Sequence, residues 1–279
     1  MKLARLWIYP LKSARGIALP EAELTPLGLK HDRRWMLVNP QGHFLTQREL
    51  PRMAKMVPEM TSEGLKITFE NTVCEVPFLK SETIPDNATE MTVRVWRSTV
   101  TAWQYSPAIN QWFSQQLETP CALVYMPDST FRATNPAYAP DARVSFADGY
   151  PYLVTTTASL DLLNQHLEAA ERPAVSMARF RPNLVIENQR PFEEDHWQNI
   201  QIGQARFEGV KPCERCVIID THPQTGERQA GPLETLVSYR KGQSGLQKAV
   251  FGRNLIAHSG GLLRVGDKVR VLAGNDQTE

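Results

Sequence analysis

Apolar residues come in short runs over most of the chain, and the runs are cut by proline, glycine or charge before a helix could form. Leu6-Trp7-Ile8-Tyr9 predicts a buried strand that stops at Pro10 and delivers Lys12-Ser13 into a loop containing Gly16. Arg34-Trp35-Met36-Leu37-Val38, a turn at Pro40-Gln41-Gly42, and His43-Phe44-Leu45-Thr46 predict a hairpin. Further strands are expected at Leu65–Phe69, Thr92–Trp96, Val100–Trp103, Leu184-Val185-Ile186, Val217-Ile218-Ile219 and Phe251–Ile256. Gly260-Gly261 and Gly266-Asp267 punctuate a closing set of strands that ends at Val271-Leu272, and the polar tail Gly274 to Glu279 reads as frayed.

Helical spacing occurs at two places. Ile109, Trp112, Phe113 and Leu117 follow Ser106-Pro107 as N-cap and first helical residue. Leu160, Leu163 and Leu167 share one face behind Thr157 as the expected cap. Residues 127–142, with three prolines and few aliphatics, read as a long, mobile loop placed to cover a site. The pattern predicts a β-rich α+β protein with barrel or mixed sheets and a few helices.

Composition narrows the class. A length of 279 residues holds one large or two ordinary domains, and 31 basic against 30 acidic residues give no global field for nucleic acid. No run reaches the ~18 apolar residues of a membrane span, and Met1 to Pro10 lacks the pattern of a signal peptide. Four cysteines, two of them isolated at Cys74 and Cys121, do not form a secreted disulfide framework, so the expected compartment is the cytoplasm.

Chemistry is concentrated in Lys211-Pro212-Cys213-Glu214-Arg215-Cys216, where two thiols stand beside two cations that favour the thiolate. A zinc site would need two more ligands, and no second C-x-x-C or paired histidine supplies them. A thioredoxin-like pair would need a helix after the first cysteine, whereas the β-branched run that follows predicts a strand. Two readings stay open: buried structural cysteines, or a single thiolate ligand to a redox metal held by an organic cofactor. The second needs a cationic pocket, for which Lys12, Arg33, Arg179 and Arg181 are candidates; each is also readable as an ordinary surface charge. Asp32 beside Arg33 can orient that guanidinium, Arg179 and Arg181 point to one side if their stretch is extended, and hydroxyls at 155–157 open a helix.

Tyr9-Pro10-Leu11-Lys12-Ser13, Asp32-Arg33-Arg34-Trp35, Ser145-Phe146-Ala147-Asp148, Phe180-Arg181-Pro182-Asn183, Lys211 to Cys216, Phe251-Gly252-Arg253-Asn254-Leu255 and Val265-Gly266-Asp267, taken in this order, resemble the MOSC proteins with an N-terminal MOSC β-barrel domain. That group includes the mitochondrial amidoxime-reducing component and bacterial proteins conferring resistance to hydroxylated purine bases. The resemblance implies an N-terminal MOSC-type β-barrel over about residues 1–120, packed on a MOSC barrel over 121–273, with strand exchange between the two. It also implies a molybdenum cofactor, Mo-molybdopterin, with Cys216 rather than Cys213 as metal ligand and catalytic residue. Lys12, Ser13, Arg33, Arg181 and Asn183 then match pterin and phosphate contacts, as do Thr156 and Ser159. The implied reaction is reduction of N-hydroxylated compounds by oxygen-atom transfer to molybdenum. A separate reductase or ferredoxin-like electron donor is expected, because no four-cysteine cluster set is present. The alternatives are a non-catalytic cofactor or sulfur carrier and, with no lysine in a Schiff-base context, a pyridoxal-phosphate enzyme.

Overall fold

Leu3, Leu6 and Ile8 point into the core from the strand Lys2–Ile8 while Lys2 and Arg5 face outward, an alternation that gives the strand one wet and one dry face. In the computed structural model, which describes residues 1–79, 83–241 and 249–272, this first strand joins the second half of the chain. It pairs antiparallel with Leu184–Glu187, in a register that sets Leu3 opposite Ile186 and Leu6 opposite Leu184. The resulting eight-stranded sheet runs in the order Val269–Leu272, Asn199–Ile202, Ala205–Glu214, Val250–Ala257, Tyr152–Thr156, Leu184–Glu187, Lys2–Ile8, Ile17–Leu19. The expected tail from Gly274 lies outside the described residues.

Most of the first half forms smaller sheets. Trp35–Val38, Ala122–Tyr125, Ser98–Gln104 and Thr89–Val95 make a four-stranded sheet, and Val57–Met60, Gly64–Phe69 and Thr72–Pro77 a three-stranded one. Helix α1 (Pro107–Leu117) buries Phe113 and Leu117 in the core with Trp35, Leu37, Ile67 and Phe69. Burial of each such side chain is worth roughly 1.5–3 kcal/mol. The predicted hairpin after Pro40 forms as a short one: the Asn39 and Leu45 amides donate to the His43 and Leu37 carbonyls, both at 2.8 Å, around a Val38–Phe44 bridge. The longer ladder of Trp35–Val38 is with Ala122–Tyr125 on its other edge, a pairing that places four buried side chains, Trp35 to Val38, against two cores.

Helix α2 (Thr157–Ala169) carries the chain from Tyr152–Thr156 across to the parallel strand Leu184–Glu187. Its N-cap is Thr156, whose Oγ1 accepts from the Ser159 amide at 3.4 Å, one residue earlier than the sequence pattern suggested. Leu163 and Leu167 of α2 share a core with Ile219, Leu236 and Phe251, and Leu236 belongs to helix α3 (Pro232–Arg240). Among the described residues no helix is long and apolar enough to cross a membrane.

One predicted strand, and the stretch before Arg181 considered as extended, are 3-10 turns instead. Val217–Asp220 is one, despite its β-branched residues. The preceding strand already runs through Glu214, and the turn drops Ile219 into the core while Asp220 Oδ1 accepts the Leu233 amide at 2.9 Å at the start of α3. Tertiary packing overrides β propensity here. Met177–Phe180 is the other turn, and it ends in a left-handed Arg181, so Arg179 and Arg181 do not share a side.

Candidate functional site

Several strand ends and loops open onto one cleft of about 730 Å³ including its mouth. Its walls carry Lys12 and Ser13 after the first strand, Arg33 ahead of Trp35–Val38, Arg48, the 147–150 turn, Arg181 and Asn183 ahead of Leu184–Glu187, and Cys213 and Arg215. Five cations, Lys12, Arg33, Arg48, Arg181 and Arg215, thus line the cleft against one carboxylate, Asp148. Ser13, Arg33 and Arg181 also adopt left-handed backbone, with φ of 69°, 48° and 55°. For side chains other than glycine this conformation costs on the order of 1–3 kcal/mol and clusters where function requires it.

Tyr9 organises the basic wall. The guanidiniums of Arg33 and Arg181 each lie 4.3 Å from its ring centroid, so one aromatic ring holds two like charges apart. Gly16 makes room for it, since a Cβ there would fall 2.5 Å from the Tyr9 ring. Asp32 braces the arrangement, with Oδ1 accepting the Tyr9 amide at 2.7 Å and Oδ2 accepting Arg33 Nη1 at 2.6 Å. Arg33 donates further to Asn183 Oδ1 at 3.1 Å and to the Arg181 carbonyl at 3.0 Å, and Arg181 donates to the Ala14 carbonyl at 2.7 Å. Asn183 in turn accepts the Leu153 amide at 3.2 Å and donates to the Trp7 carbonyl at 3.2 Å, which stitches three strands together behind the cleft.

Across the cleft, Lys12 Nζ donates to Asp148 Oδ1 at 2.6 Å and to the Phe146 carbonyl at 2.8 Å. Burial pushes the Lys12 ammonium down to about 8, against the opposing pull of Asp148. Burial of its surroundings works to raise the Asp148 carboxyl, yet Lys12, Arg48 and the Trp96 indole together hold it well below the usual carboxylate range. Burial also lowers Arg181 to about 10, which leaves it cationic at neutral pH. Among the described residues, the buried polar atoms left without a partner include Tyr9 Oη, Arg48 Nε and Arg215 Nε, all in or beside the cleft.

The two cysteines differ. Cys213 lines the cleft and its Sγ accepts Arg215 Nη1 at 3.0 Å, while Cys216 is exposed at the N-cap of the 3-10 turn, immediately after cleft-lining Arg215. Lys211 is engaged elsewhere, by Glu214 at 3.1 Å and the Tyr138 ring at 5.3 Å. A 3-10 turn rather than the expected strand follows Cys216, but Cys213, the first cysteine of the pair, lies within the strand Ala205–Glu214 and not at the helix N-terminus that a thioredoxin-like pair needs. The turn is four residues long, too short to carry the dipole of a full helix.

Of the residues singled out from sequence, Lys12, Ser13, Arg33, Arg181 and Asn183 are brought together, and Thr156 and Ser159 are not. Those two are fully buried at the start of α2, where they hydrogen-bond Glu194 at 2.9 and 2.8 Å. Arg179 turns to the Ile219 carbonyl at 3.2 Å and to Gln229. Sequence reasoning missed Arg48, which has no motif around it, and the ion pair of Asp148, whose motif carried no role.

Residues 1–120 match the MOSC N-terminal beta barrel domain and residues 141–270 match the MOSC domain. Mitochondrial amidoxime-reducing component 1 of Homo sapiens is 31% identical over 97% of this chain and 82% of its own length. The chain belongs to the MOSC family, in the branch that carries the N-terminal barrel domain. The mouse amidoxime-reducing component 1 is 32% identical over 97% of this chain and 82% of its own. Molybdenum cofactor sulfurase of Solanum lycopersicum is 31% identical over 96% of this chain, which spans only 35% of that longer protein. The sulfurase is named for the molybdenum cofactor, and the other two relatives are named for the reduction of amidoximes.

Proposed function

We propose that this protein is a molybdenum-cofactor-dependent reductase of N-hydroxylated compounds, with hydroxylamines, amidoximes and N-hydroxylated bases as its substrate class. The observation that carries the reading is the cleft with five lining cations against one lining carboxylate. Such a surplus of positive charge suits a phosphate-bearing pterin, whose anionic group would take charge-assisted hydrogen bonds from it. The relatives named as amidoxime-reducing components support the reaction class.

In this reading Lys12, Ser13, Arg33, Arg181 and Asn183 hold the pterin and its phosphate, and Cys216 supplies the protein thiolate to the metal. Thr156 and Ser159, engaged with Glu194, serve the fold behind the site instead. When bound, the cofactor would supply the two electrons and the Lewis acidity needed to cleave an N–O bond. The chain's own residues then bind, orient and shield. Arg33 and Arg181 keep fixed directions through Tyr9, and Asp148, ionised at neutral pH, keeps Lys12 protonated and turned to the cleft wall. The electrons come from a separate donor protein.

A second reading, a cofactor or sulfur carrier, is favoured by the exposed Cys216 and by the similarity to the sulfurase. One experiment separates them. Freshly purified protein is analysed for molybdenum and pterin, then assayed with an N-hydroxylated base and an artificial electron donor. The reductase reading expects stoichiometric metal and pterin, turnover to the parent amine, and loss of turnover in Cys216→Ser with the fold kept. Bound pterin with no reduction supports the cofactor carrier, and absence of both metal and pterin overturns the reductase and the cofactor carrier, leaving only sulfur transfer through Cys216.

A further inference from the structure

The segment between Ala122–Tyr125 and Tyr152–Thr156 reads from sequence as a mobile cover, but its hydrogen bonds make it a brace. Thr130 Oγ1 donates to the Thr101 carbonyl at 2.7 Å, the Thr134 amide donates to Ala142 at 3.0 Å, and the Val144 amide donates to Arg132 at 2.9 Å. These bonds fix the backbone of Arg132. Its side chain is buried, at 4% exposure, behind the turn that forms one wall of the cleft. Arg132 Nη1 donates to the carbonyls of Ser145 and Ala147, both at 2.6 Å, and Nη2 to the carbonyl of Asp148 at 3.2 Å.

Together with the bond from Lys12 to Phe146, two cations engage four consecutive carbonyls, 145 to 148. In a trans peptide the N–H of one residue points opposite to the preceding C=O. Carbonyls of Ala147 and Asp148 held on Arg132 therefore turn the amides of Asp148 and Gly149 away from it, while residues 147–150 line the cleft and Arg132 does not. Successive amides turned the same way form an anion-binding concavity. An apolar side chain would fill the same space without the desolvation cost of a buried guanidinium, so packing alone does not account for an arginine there. Asp148, the one carboxylate of the cleft, sits on this same turn.

We propose that Arg132 is a positioning residue: it holds residues 145–149 so that the Asp148 carboxylate stays on Lys12 and the amides of Asp148 and Gly149 face a bound anion. What that anion is rests on the function proposed above; the positioning itself does not. The test uses Arg132→Met and Arg132→Lys in the full chain. Backbone amide exchange is followed by mass spectrometry, melting temperature by circular dichroism, and pterin retention through dialysis.

In Arg132→Met, exchange at 147–149 should rise about tenfold or more while the strands Tyr152–Thr156 and Leu184–Glu187 keep theirs. Pterin retention should fall about tenfold, an effect of the size expected for about one charge-assisted contact. Arg132→Lys keeps the charge but loses the planar fork, and it should recover part of both effects. A folded Arg132→Met protein with wild-type exchange at 147–149 overturns the proposal, as does raised exchange with unchanged retention. If that variant fails to fold, Arg132→Lys is judged on the same two readouts. Wild-type protein that carries no pterin overturns the functional reading, while the exchange measurement still decides whether Arg132 positions the turn.

Discussion

Buried charge occurs in two regions of the molecule, and the two handle it differently. Near the start of α2, Glu194 lies with both Thr156 and Ser159 on its carboxylate, and next to it Asp195 pairs with Arg240, itself buried against the Phe192 ring. Cation and anion stand close to balance there, although Asp195 Oδ1 and the Nε of Arg253, which bonds the Asp195 carbonyl, have no partner among the described residues. In the cleft, five lining cations face one lining carboxylate. The first arrangement nearly balances its charge and ties α2 and α3 to the sheet; the second leaves a surplus of positive charge on an open cleft, which is what the proposed anionic ligand would need. Burial alone therefore does not identify a site, whereas surplus charge of one sign around a cleft points to one.

The sharpest way to break this contrast is to open the near-balanced cluster. Arg240→Met strands Asp195 in the core and should cost about 3–5 kcal/mol in chemical denaturation, with pterin retention unchanged in the folded fraction. A loss below about 1 kcal/mol would mean that the cluster is not holding the fold.

Next in size is a pH effect from the same cluster. Burial raises the Glu194 carboxyl from 4.5 to about 7 against the hydrogen bonds from Ser159 and Thr156, so the folded state keeps its proton at higher pH than the unfolded chain does. The resulting stability is fully present below about pH 4.5 and is lost as pH rises through about 7. Melting temperature should fall between pH 5 and pH 8 by the equivalent of about 3 kcal/mol, and Glu194→Gln should flatten that slope. An equally steep slope in the variant would assign the dependence to other groups.

In the open cluster, removing a cation should act on binding before stability. Arg181→Ala is expected to weaken pterin retention roughly ten- to a hundredfold, from about 1.5–3 kcal/mol of lost charge-assisted contact, with a smaller stability loss than Arg240→Met. Full occupancy after dialysis would remove Arg181 from the proposed pterin contacts. The smallest effect belongs to neither region: the exposed pair Lys30–Glu23, 2.6 Å apart, should change stability by less than about 1 kcal/mol in Glu23→Gln. A larger change would show that surface pairs blur the contrast on which the comparison rests.

Much of this was legible in the residues themselves. Alternation and turn residues located the strands at Lys2–Ile8, Gly64–Phe69 and Ser98–Gln104, and apolar spacing located α1 and α2, because those signals arise from local geometry. The motifs around Lys12, Arg33, Arg181 and Asn183 named residues that share one cleft. Tertiary structure decided the rest. Val217–Asp220 became a turn because a strand already ended before it, and residues 127–142 became a brace because Arg132 found three carbonyls to hold. Thr156 and Ser159 were drawn to Glu194, a partner 38 and 35 positions away along the chain. Local signals set which backbone a segment prefers. Which charges meet, and which are left for a ligand, depends on contacts between distant segments that no local pattern encodes.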